Sequence, residues 1–243
     1  MRLQDKVAII TGASSGIGEG IAKRFIKEGA KVVGCGIEDS LNFEDANAIY
    51  IQADLSKYEA TTKVVEEAVK KFGKVDILVN CAGITEVGSL ETTTPEDFQK
   101  QFSVNVNGVF HMCKAAIGEL KKQKGAAIVN IGSDLGVRPI PERVAYCPSK
   151  AAVIMLTKCI ATEYAPYVRA NCIHPGLVET PMIQDRIDGS DDPDAFRASM
   201  ADIYPLKRMG TIDDMANAAV YLASSESSFV TGESIGVCGG SLI

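Results

Sequence analysis

The chain has 243 residues, of which 46% are hydrophobic and 23% charged, and its formal net charge at pH 7 is -6. This balance is typical of a folded globular protein and excludes a chain that is mainly disordered. The excess of acidic residues argues against a nucleic-acid partner, because such proteins need a basic face to neutralise phosphates.

The seven cysteines and two histidines are scattered along the chain. There is no Cys-x-x-Cys pair, and His111 and His174 lie far apart, so the sequence predicts no metal site and no disulfide framework. The thiols are expected to serve as small apolar side chains in a reducing, cytoplasmic compartment. The first residues lack the apolar run of a secretory signal, and no stretch reaches the roughly 20 apolar residues of a membrane span. We therefore expect no membrane partner.

Strand and helix patterns alternate along the whole chain. The predicted strands are Val7–Ile10, Lys31–Cys35, Ala48–Gln52, Val75–Asn80, Ala126–Gly132, Val168–His174 and Ser234–Cys238. The predicted helices are Ile17–Lys27, Ser56–Phe72, a long region after Pro95, Tyr146–Ala165 and Thr211–Ser224. Strands separated by single helices pair in parallel, with helices on both faces of the sheet. The sequence therefore predicts one α/β domain, residues 1–243, with a doubly wound parallel sheet of about seven strands.

One polar segment, residues 181–207, stands apart from this alternation. Its centre is the turn-rich run Gly189-Ser190-Asp191-Asp192-Pro193-Asp194. The segment lies between the end of the sixth strand and the next helix, where ligands bind in sheets of this kind. Two interpretations stay open, a solvated surface loop or a mobile lid over a substrate.

A glycine-rich turn joins the first strand to the first helix. Glycines let the backbone turn tightly and approach a pyrophosphate, whose charge the helix N-terminus stabilises. Because a strand precedes the turn and a helix follows it, the pattern predicts a Rossmann-type dinucleotide site. The residues expected to form this turn are Gly12, Ser14, Ser15, Gly16, Ile17 and Gly18.

The spacing Gly-x-x-x-Gly-x-Gly, with Thr11 before it, strongly resembles the short-chain dehydrogenase/reductase family. The resemblance covers almost the whole chain. Asn80-Cys81-Ala82-Gly83 is similar to the family's Asn-Asn-Ala-Gly, although Cys81 replaces the second Asn. The resemblance implies that Asp54 lies at the adenine and that the segment from Pro175 to Thr180 lies beside the nicotinamide. The further cofactor residues implied in this way are Asp54, Leu55, Asn80, Ala82, Gly83, Pro175, Gly176, Val178 and Thr180.

Four residues match the family's Asn-Ser-Tyr-Lys catalytic tetrad, namely Asn105, Ser133, Tyr146 and Lys150. Tyr146 and Lys150 lie four residues apart at the start of a helix, so they share one face. Oxidation of an alcohol needs a base for the hydroxyl proton, and a nearby cation favours the ionised form of such a group. The resemblance implies that Tyr146 is this base, that Lys150 also binds the nicotinamide ribose, that Ser133 holds the substrate oxygen and that Asn105 supports a proton-relay water. The alternative is an exposed helix end that carries Tyr and Lys by chance.

The coenzyme preference depends on the end of the second strand. An acidic residue there normally accepts a hydrogen bond from the ribose 2′-hydroxyl and repels a 2′-phosphate, but Gly36 stands at this position. Proteins that bind NADP usually carry a cation in the glycine turn or after this strand, where the chain has Ser15 and Ile37. Either Glu38 or Asp39 reaches the ribose from the next turn, or both are ordinary surface acids. Without a cation a 2′-phosphate is poorly held, so the sequence favours NAD over NADP, with Ile37 in the cofactor site.

Arginines near the predicted site favour an anionic substrate. Arg143 lies three residues before Tyr146, Arg186 lies in the segment 181–207, and arginine suits bidentate binding of a carboxylate. Together with Gln184 they resemble the carboxylate-binding region of the family's cytosolic 3-hydroxybutyrate and sugar-acid dehydrogenases. The predicted substrate-binding residues are Ser133, Arg143, Tyr146, Gln184 and Arg186. The alternative for each arginine, Arg208 above all, is a surface salt bridge.

The sequence therefore predicts an oxidoreductase that transfers a hydride between a nicotinamide cofactor and a secondary alcohol or ketone, in a small hydroxy acid or sugar acid. The alternatives are a dehydrogenase for a neutral alcohol or sterol, and a nucleotide-sensing protein that kept the fold and lost catalysis. A methyltransferase with a similar sheet is disfavoured by the tetrad. The resemblance also implies a homotetramer or homodimer, although Cys238 replaces the family's usual Asp near the C-terminus.

Overall fold

Seven parallel strands form the central sheet, in the order β3-β2-β1-β4-β5-β6-β7. The computed structural model describes residues 1–243 except the side chains of Met182, Asp185 and Arg186. The strands are β1 Val7–Thr11, β2 Lys31–Gly36, β3 Ala48–Gln52, β4 Ile77–Asn80, β5 Ala126–Ile131, β6 Val168–Pro175 and β7 Ser234–Val237. The predicted doubly wound sheet is confirmed, with strand boundaries that differ by up to two residues.

The helices cover both faces of this sheet. They are α1 Gly16–Lys27, α2 Tyr58–Phe72, α3 Pro95–Phe102, α4 Gly108–Leu120, α5 Tyr146–Tyr164, α6 Pro181–Asp188, α7 Pro193–Asp202 and α8 Ile212–Ala223. A π-helical turn, Ser103–Asn107, joins α3 to α4, so the region after Pro95 is helical throughout but not one regular α-helix.

Alternation along the strands divides the core between the two faces. Ile9 and Leu78 pack into the cluster that contains residues of α2, α4 and α5, whereas Ile10 and Val79 pack into the cluster that contains residues of α1 and α8. All four side chains are fully buried. Each contributes about 1.5–3 kcal/mol to the free energy of unfolding, so the sheet is fixed from both sides.

The connection after β3 sets the location of the site. The chain runs outward from β1 through β2 to β3, then returns so that β4 pairs with the other edge of β1. The strand order reverses between β1 and β4, which are neighbours in the sheet. Sheets of this kind bind ligands in a crevice at the carboxyl ends of the two strands where the order reverses.

The segment 181–207 contains helices α6 and α7, so the interpretation as a surface loop is wrong for most of its length. The turn-rich run was misleading because its residues start a helix. Asp192 is the N-cap of α7 and its side chain accepts a hydrogen bond of 3.0 Å from the Ala195 N–H, while Pro193 occupies the first turn.

Within the described part of the chain, no helix is long and apolar enough to cross a membrane, and no group of three His, Cys, Asp or Glu side chains is placed to hold a metal ion. All seven cysteines are free thiols.

Asp76 ties the start of β1 to the loop before β4. Its buried carboxylate accepts hydrogen bonds from the Val7 N–H at 2.9 Å and from the ammonium group of Lys6 at 3.0 Å, and it forms a salt bridge of 2.9 Å with Lys74. Burial raises the pKa of Asp76, but these three donors together outweigh burial and hold its pKa below the ordinary value. The ionised carboxylate therefore stabilises the fold at neutral pH.

We expect Asp76→Asn to lower the free energy of unfolding at pH 7 by about 1.5–3 kcal/mol, the contribution of hydrogen bonds to a charged group. Because the folded-state pKa is depressed, this contribution is complete above the unfolded-state pKa and disappears as the pH falls through the folded-state pKa. Urea unfolding at pH 7 and at about pH 3 measures it, with the exposed Asp191→Asn as control. A loss of equal size at both pH values would contradict the prediction.

Candidate active site

The glycine-rich turn after β1 has a backbone conformation that suits glycine. Gly12 and Gly16 have positive φ angles of 65° and 57°. A Cβ at position 12 would lie 3.0 Å from the backbone of Ala82, and one at position 18 would overlap the carbonyl oxygen of Gly12. The turn therefore depends on the absence of side chains at these positions.

Helix α1 begins directly after this turn. Within the described residues, its N-cap Ser15 makes no side-chain hydrogen bond to the first turn, so the N–H groups there are available to an anion. Ser14 is buried and its carbonyl oxygen accepts a hydrogen bond from the Asn42 amide, and Ile17 packs against the core. These features fit the pyrophosphate of a dinucleotide.

The loop after β4 is attached to the same turn. The hydroxyl of Thr11 accepts hydrogen bonds of 2.9 Å from the N–H groups of both Cys81 and Ala82. Asn80 is buried and donates to the Asn130 side chain at 2.8 Å, but its own Oδ1 has no partner among the described residues. Burial raises the pKa of Cys81 to about 12, so this residue is a neutral thiol. The last residue of β4 thus has a buried acceptor without a partner among the described residues.

Asp54 and Leu55 follow β3 at the same edge of the sheet. Asp54 Oδ1 accepts hydrogen bonds from the hydroxyl of Ser56 at 2.7 Å and from its N–H at 3.1 Å, and these hold the pKa of Asp54 below its ordinary value. Leu55 is buried against Gly108. The carboxylate is therefore ionised and oriented, which suits an acceptor for the amino group of adenine.

Glu38 lies where an aspartate side chain at position 36 would lie. A Cβ at Gly36 would be 2.8 Å from Glu38 Oε2 and 2.9 Å from the hydroxyl of Tyr50, which donates to Glu38 at 3.3 Å. Asp39 instead accepts a hydrogen bond of 2.9 Å from Gln52. A carboxylate therefore stands at the end of β2 even though the strand ends in glycine.

Ile37, between these residues, is 69% exposed. Its carbonyl oxygen accepts a hydrogen bond of 2.8 Å from the Gln52 amide, which fixes the turn after β2. The side chain is therefore free to contact a ligand at this edge.

Lys150 connects α5 to the end of β5. Its buried ammonium group donates to the carbonyl oxygen of Ile131 at 3.0 Å and lies 5.8 Å from the centroid of the Tyr146 ring, one turn earlier. A Cβ at Gly83 would lie 3.4 Å from this ammonium group and 3.1 Å from Oδ1 of Asn105. The glycine at position 83 therefore allows the loop after β4 to approach both side chains.

Ser133 lies two residues after β5 and is the N-cap of a short 3-10 helix, Asp134–Gly136. Its hydroxyl oxygen accepts a hydrogen bond of 3.1 Å from the N–H of Leu135. A Cβ at Gly136 would lie 3.0 Å from the carbonyl carbon of Lys150, so this helix packs directly against α5. The packing brings Ser133 to the helix end that carries Tyr146 and Lys150.

Asn105 lies in the π-helical turn before α4. It exchanges two hydrogen bonds with the backbone of Ile84, at 2.8 and 2.9 Å, and donates to the hydroxyl of Ser149 at 3.0 Å. Ser149 in turn donates to the carbonyl oxygen of Tyr146 at 2.7 Å. The four tetrad positions are thus linked through α5 and the ends of β4 and β5.

The loop after β6 closes against the end of α7. A Cβ at Gly176, which follows Pro175, would lie 3.0 Å from the ring of Tyr204 and 3.1 Å from Cα of Cys238. The Tyr204 hydroxyl accepts a hydrogen bond of 2.6 Å from the N–H of Leu177, and burial raises the pKa of Tyr204, so the hydroxyl is neutral. Tyr204 therefore fixes the segment that is predicted to lie beside the nicotinamide.

The same loop returns to the glycine turn. Val178 forms a backbone bridge with Gly210, and the methyl group of Thr180 lies 3.5 Å from the Cβ position of Gly16. The predicted cofactor residues from β1, β4 and β6 therefore meet at one crevice.

The predicted substrate residues Arg143, Gln184 and Arg186 differ in their described contacts. Arg143 donates to the carbonyl oxygen of Glu142 at 2.8 Å and makes no salt bridge among the described side chains. Gln184 donates to Asp188 on its own helix, and no described hydrogen bond joins it to the tetrad. The side chain of Arg186 lies outside the described residues.

Arg208 forms a bidentate salt bridge with Asp214, with contacts of 2.7 and 3.1 Å. The carboxylate of Asp214 also accepts a hydrogen bond from the N–H of Thr211, the N-cap of α8. The hydroxyl of Thr211 in turn accepts one from the N–H of Asp214, so the two residues form a capping box. Arg208 therefore stabilises the start of α8. For this arginine the alternative interpretation, a surface salt bridge, is confirmed.

Several polar residues at the site have roles that no pattern in the sequence predicted. Thr11 holds the loop after β4, Tyr204 holds the loop after β6, and the carboxylate of Asp134 accepts from the hydroxyls of Ser133 and Ser241. A charged residue three positions after the end of the buried strand β5 was the available signal for Asp134. Ser241 carried no signal, because it lies 107 residues further along the chain.

Comparisons with known proteins agree with this geometry. A family model described as enoyl-(acyl carrier protein) reductase matches residues 12–241. An uncharacterized oxidoreductase of Thermotoga maritima is 38% identical over 250 residues, which cover 99% of each chain. The 3-oxoacyl-(acyl-carrier-protein) reductase of that organism is 37% identical, and the match covers 100% of both chains.

Among solved structures, the ligand-free aldohexose dehydrogenase of Thermoplasma acidophilum superposes with a TM-score of 0.94 and is 35% identical. The superposition covers 98% of this chain and 94% of the dehydrogenase. The similarity therefore extends from the glycine turn to the C-terminal segment.

Proposed function

The chain belongs to the short-chain dehydrogenase/reductase family, and we propose that it interconverts a secondary alcohol and a ketone on a small carboxylate-bearing molecule, with NAD as the coenzyme. It is an oxidoreductase that uses a nicotinamide cofactor. One observation carries the proposal most directly. The buried Lys150 ammonium group and the Tyr146 ring lie 5.8 Å apart, at the helix end against which the Ser133 turn packs.

The proposed chemistry divides the steps among the tetrad. The nicotinamide ring, when bound, accepts or supplies the hydride. The Tyr146 hydroxyl takes the alcohol proton in oxidation and returns it in reduction, beside the buried ammonium group of Lys150. Ser133 holds the substrate oxygen, and Asn105 supports the path along which the proton leaves. The intact set of side chains counts against a catalytically silent nucleotide sensor.

A panel of hydroxy acids, aldohexoses, neutral alcohols and sterols tests the proposal, with formation of reduced coenzyme followed by absorbance. Turnover of a hydroxy acid or sugar acid supports it. Turnover restricted to neutral sugars or sterols would contradict the proposal that the substrate carries a carboxylate. Coenzyme binding without any turnover would favour the nucleotide-sensing alternative.

The preference for NAD rests on Glu38. Its carboxylate lies beside Gly36, where an aspartate normally accepts a hydrogen bond from the ribose 2′-hydroxyl. A carboxylate at this point would repel a 2′-phosphate. The exposed Ile37 supplies no cation for a phosphate. Asp39 is engaged with Gln52 and is therefore a weaker candidate for the same role.

We expect kcat/KM to be higher with NAD than with NADP, and Glu38→Gln to lower kcat/KM for NAD by roughly 10- to 150-fold, the value of a charge-assisted hydrogen bond. Asp39→Asn is the matched control and should change it little. Ile37→Arg should shift activity toward NADP, because it adds a phosphate partner. A parent protein that prefers NADP, or equal losses in the two acid variants, would contradict this assignment.

Arg143 supports the proposal that the substrate carries a carboxylate. This guanidinium lies three residues before Tyr146 and has no salt-bridge partner among the described side chains, whereas Arg208 is committed to Asp214. A guanidinium that forms no salt bridge with the described side chains is available to a ligand of opposite charge.

We expect Arg143→Ala to raise KM for the hydroxy acid by roughly 10- to 150-fold, and Arg143→Lys to recover little, because a point charge does not reproduce two parallel donors. The measurement compares kcat/KM for the acid and for its methyl ester, with Arg208→Ala as the control for general loss of charge. Equal losses on acid and ester would show that Arg143 is structural.

We further propose that residues 181–207 form a substrate lid, that the protein is a homodimer or homotetramer, and that it is cytoplasmic. Helices α6 and α7 border the loop after β6, which supports a role of residues 181–207 as the substrate lid. Exposed apolar side chains such as Phe110 on α4 and Met155 on α5, which are 47% and 58% exposed, support a homodimer or homotetramer. The free cysteines support a reducing, cytoplasmic location.

A further inference from the structure

The carbonyl oxygen of Glu142 is shared by two donors from different parts of the chain. It accepts a hydrogen bond of 2.9 Å from the N–H of Gly88, in the loop after β4, and one of 2.8 Å from Nη1 of Arg143. The N–H of Val144 donates in turn to the carbonyl oxygen of Gly88 at 3.4 Å, so that Gly88 and Arg143 form a backbone bridge. One oxygen atom therefore links the loop after β4 to the guanidinium that is predicted to bind the substrate.

Glu142 adopts a backbone conformation that is uncommon for a residue with a side chain. Its φ angle is 59°, in the left-handed region that favours glycine. The side chain of Glu142 is exposed and makes no salt bridge within the described part of the chain, so its contacts do not account for this conformation. Strained conformations of this kind persist where the surrounding structure requires them, and they cluster at functional sites. Here the surrounding contacts are the two hydrogen bonds to the Glu142 carbonyl group.

The loop after β4 is held at a second point by the tetrad. The side chain of Asn105 exchanges hydrogen bonds of 2.8 and 2.9 Å with the backbone of Ile84. Gly88, further along the same loop, is held by its bridge to Arg143. Residues 84–88 are therefore fixed at both ends, so Arg143 has a defined position relative to Asn105.

Position 88 has no room for a side chain. A Cβ there would overlap the hydroxyl oxygen of Thr93 and lie 3.4 Å from that of Thr92. The Thr92 hydroxyl holds this turn by accepting a hydrogen bond of 2.9 Å from the N–H of Ser89, whereas the Thr93 hydroxyl makes no hydrogen bond among the described residues. A methyl group at position 88 would therefore displace the backbone that forms the bridge, and removal of the Thr93 hydroxyl would remove the overlap.

We propose that Gly88 is a positioning residue, whose hydrogen bond to the carbonyl oxygen of Glu142 sets the direction of the Arg143 guanidinium. The bond from Nη1 of Arg143 to Glu142 uses one N–H and leaves others for two parallel hydrogen bonds to a carboxylate. Gly88 therefore contributes to the selection of a carboxylate-bearing substrate. This inference rests on the proposed function, because it concerns the arginine assigned to the substrate carboxylate.

Gly88→Ala is the main test, and the measured quantity is kcat/KM for the hydroxy acid divided by kcat/KM for its methyl ester. Gly88→Ala should lower this ratio by about 10-fold, within the range for loss of a charge-assisted hydrogen bond. Thr93→Ala alone should leave the ratio unchanged, and in the Gly88→Ala/Thr93→Ala protein it should restore the parent ratio to within about twofold. In the Arg143→Ala background, Gly88→Ala should change the ratio by less than about twofold. An unchanged ratio in Gly88→Ala, no recovery in the double variant, or an equal fall in the Arg143→Ala background would overturn the proposal.

A second measurement does not depend on turnover. In coenzyme-free protein, NMR follows the exchange with solvent of the Val144 amide N–H and of the Arg143 guanidinium N–H groups. Both should exchange about 5- to 10-fold faster in Gly88→Ala, the value of one hydrogen bond, and at the parent rate in the double variant. An unchanged guanidinium rate in Gly88→Ala would overturn the proposal. If the parent protein turns over no hydroxy acid, the proposed substrate class is wrong, while this measurement still decides whether Gly88 holds Arg143.

Discussion

Tyr146→Phe is expected to lower kcat by about 10²–10⁴-fold, the contribution of general acid–base catalysis, with little change in the Kd for reduced coenzyme. The hydroxyl supplies and accepts the proton, whereas the ring that faces Lys150 remains. Steady-state kinetics and fluorescence titration with reduced coenzyme measure the two effects separately.

Tyr164→Phe is the matched control, because Tyr164 is the last residue of the same helix, α5. It should leave kcat within twofold of the parent value. If Tyr146→Phe keeps more than a tenth of the parent kcat, another group is the acid and base, and the role given to Tyr146 is wrong.

Gly18→Ala is expected to lower kcat/KM by about 10²-fold and to weaken coenzyme binding, because the added methyl group overlaps the carbonyl oxygen of Gly12. The turn must shift to remove this overlap, and a displacement of about 1 Å in a binding element costs about 10²-fold. Overpacking of this kind also costs about 1–3 kcal/mol of stability. Coenzyme titration and thermal unfolding measure both effects.

Gly118→Ala provides the control, since Gly118 also lies inside a helix, α4, and a Cβ there meets no atom within 4 Å. That substitution should stabilise the protein by up to about 1 kcal/mol through helix propensity and leave coenzyme binding unchanged. Coenzyme binding by Gly18→Ala equal to that of Gly118→Ala would show that the glycine turn does not hold the pyrophosphate.

The sequence by itself determined the architecture, because the relevant signals are local. Buried strands and helices differ in hydrophobic period, so β1 and α1 were recognisable from residues close together in the chain. The glycine turn and the Tyr146–Lys150 pair were found for the same reason, since each lies within eight residues. The turn-rich run at 189–194 misled because turn residues and N-cap residues are the same types, and only a following helix distinguishes them.

The tertiary structure alone decided how the site is completed. Glu38 takes the place beside Gly36 because the turn after β2 folds back toward Tyr50, a path that no pattern in the sequence specifies. Asp134 meets Ser241 across 107 residues because the C-terminal segment returns over the end of β5. Such contacts depend on where the chain returns after many residues, and neither periodicity nor spacing carries that information.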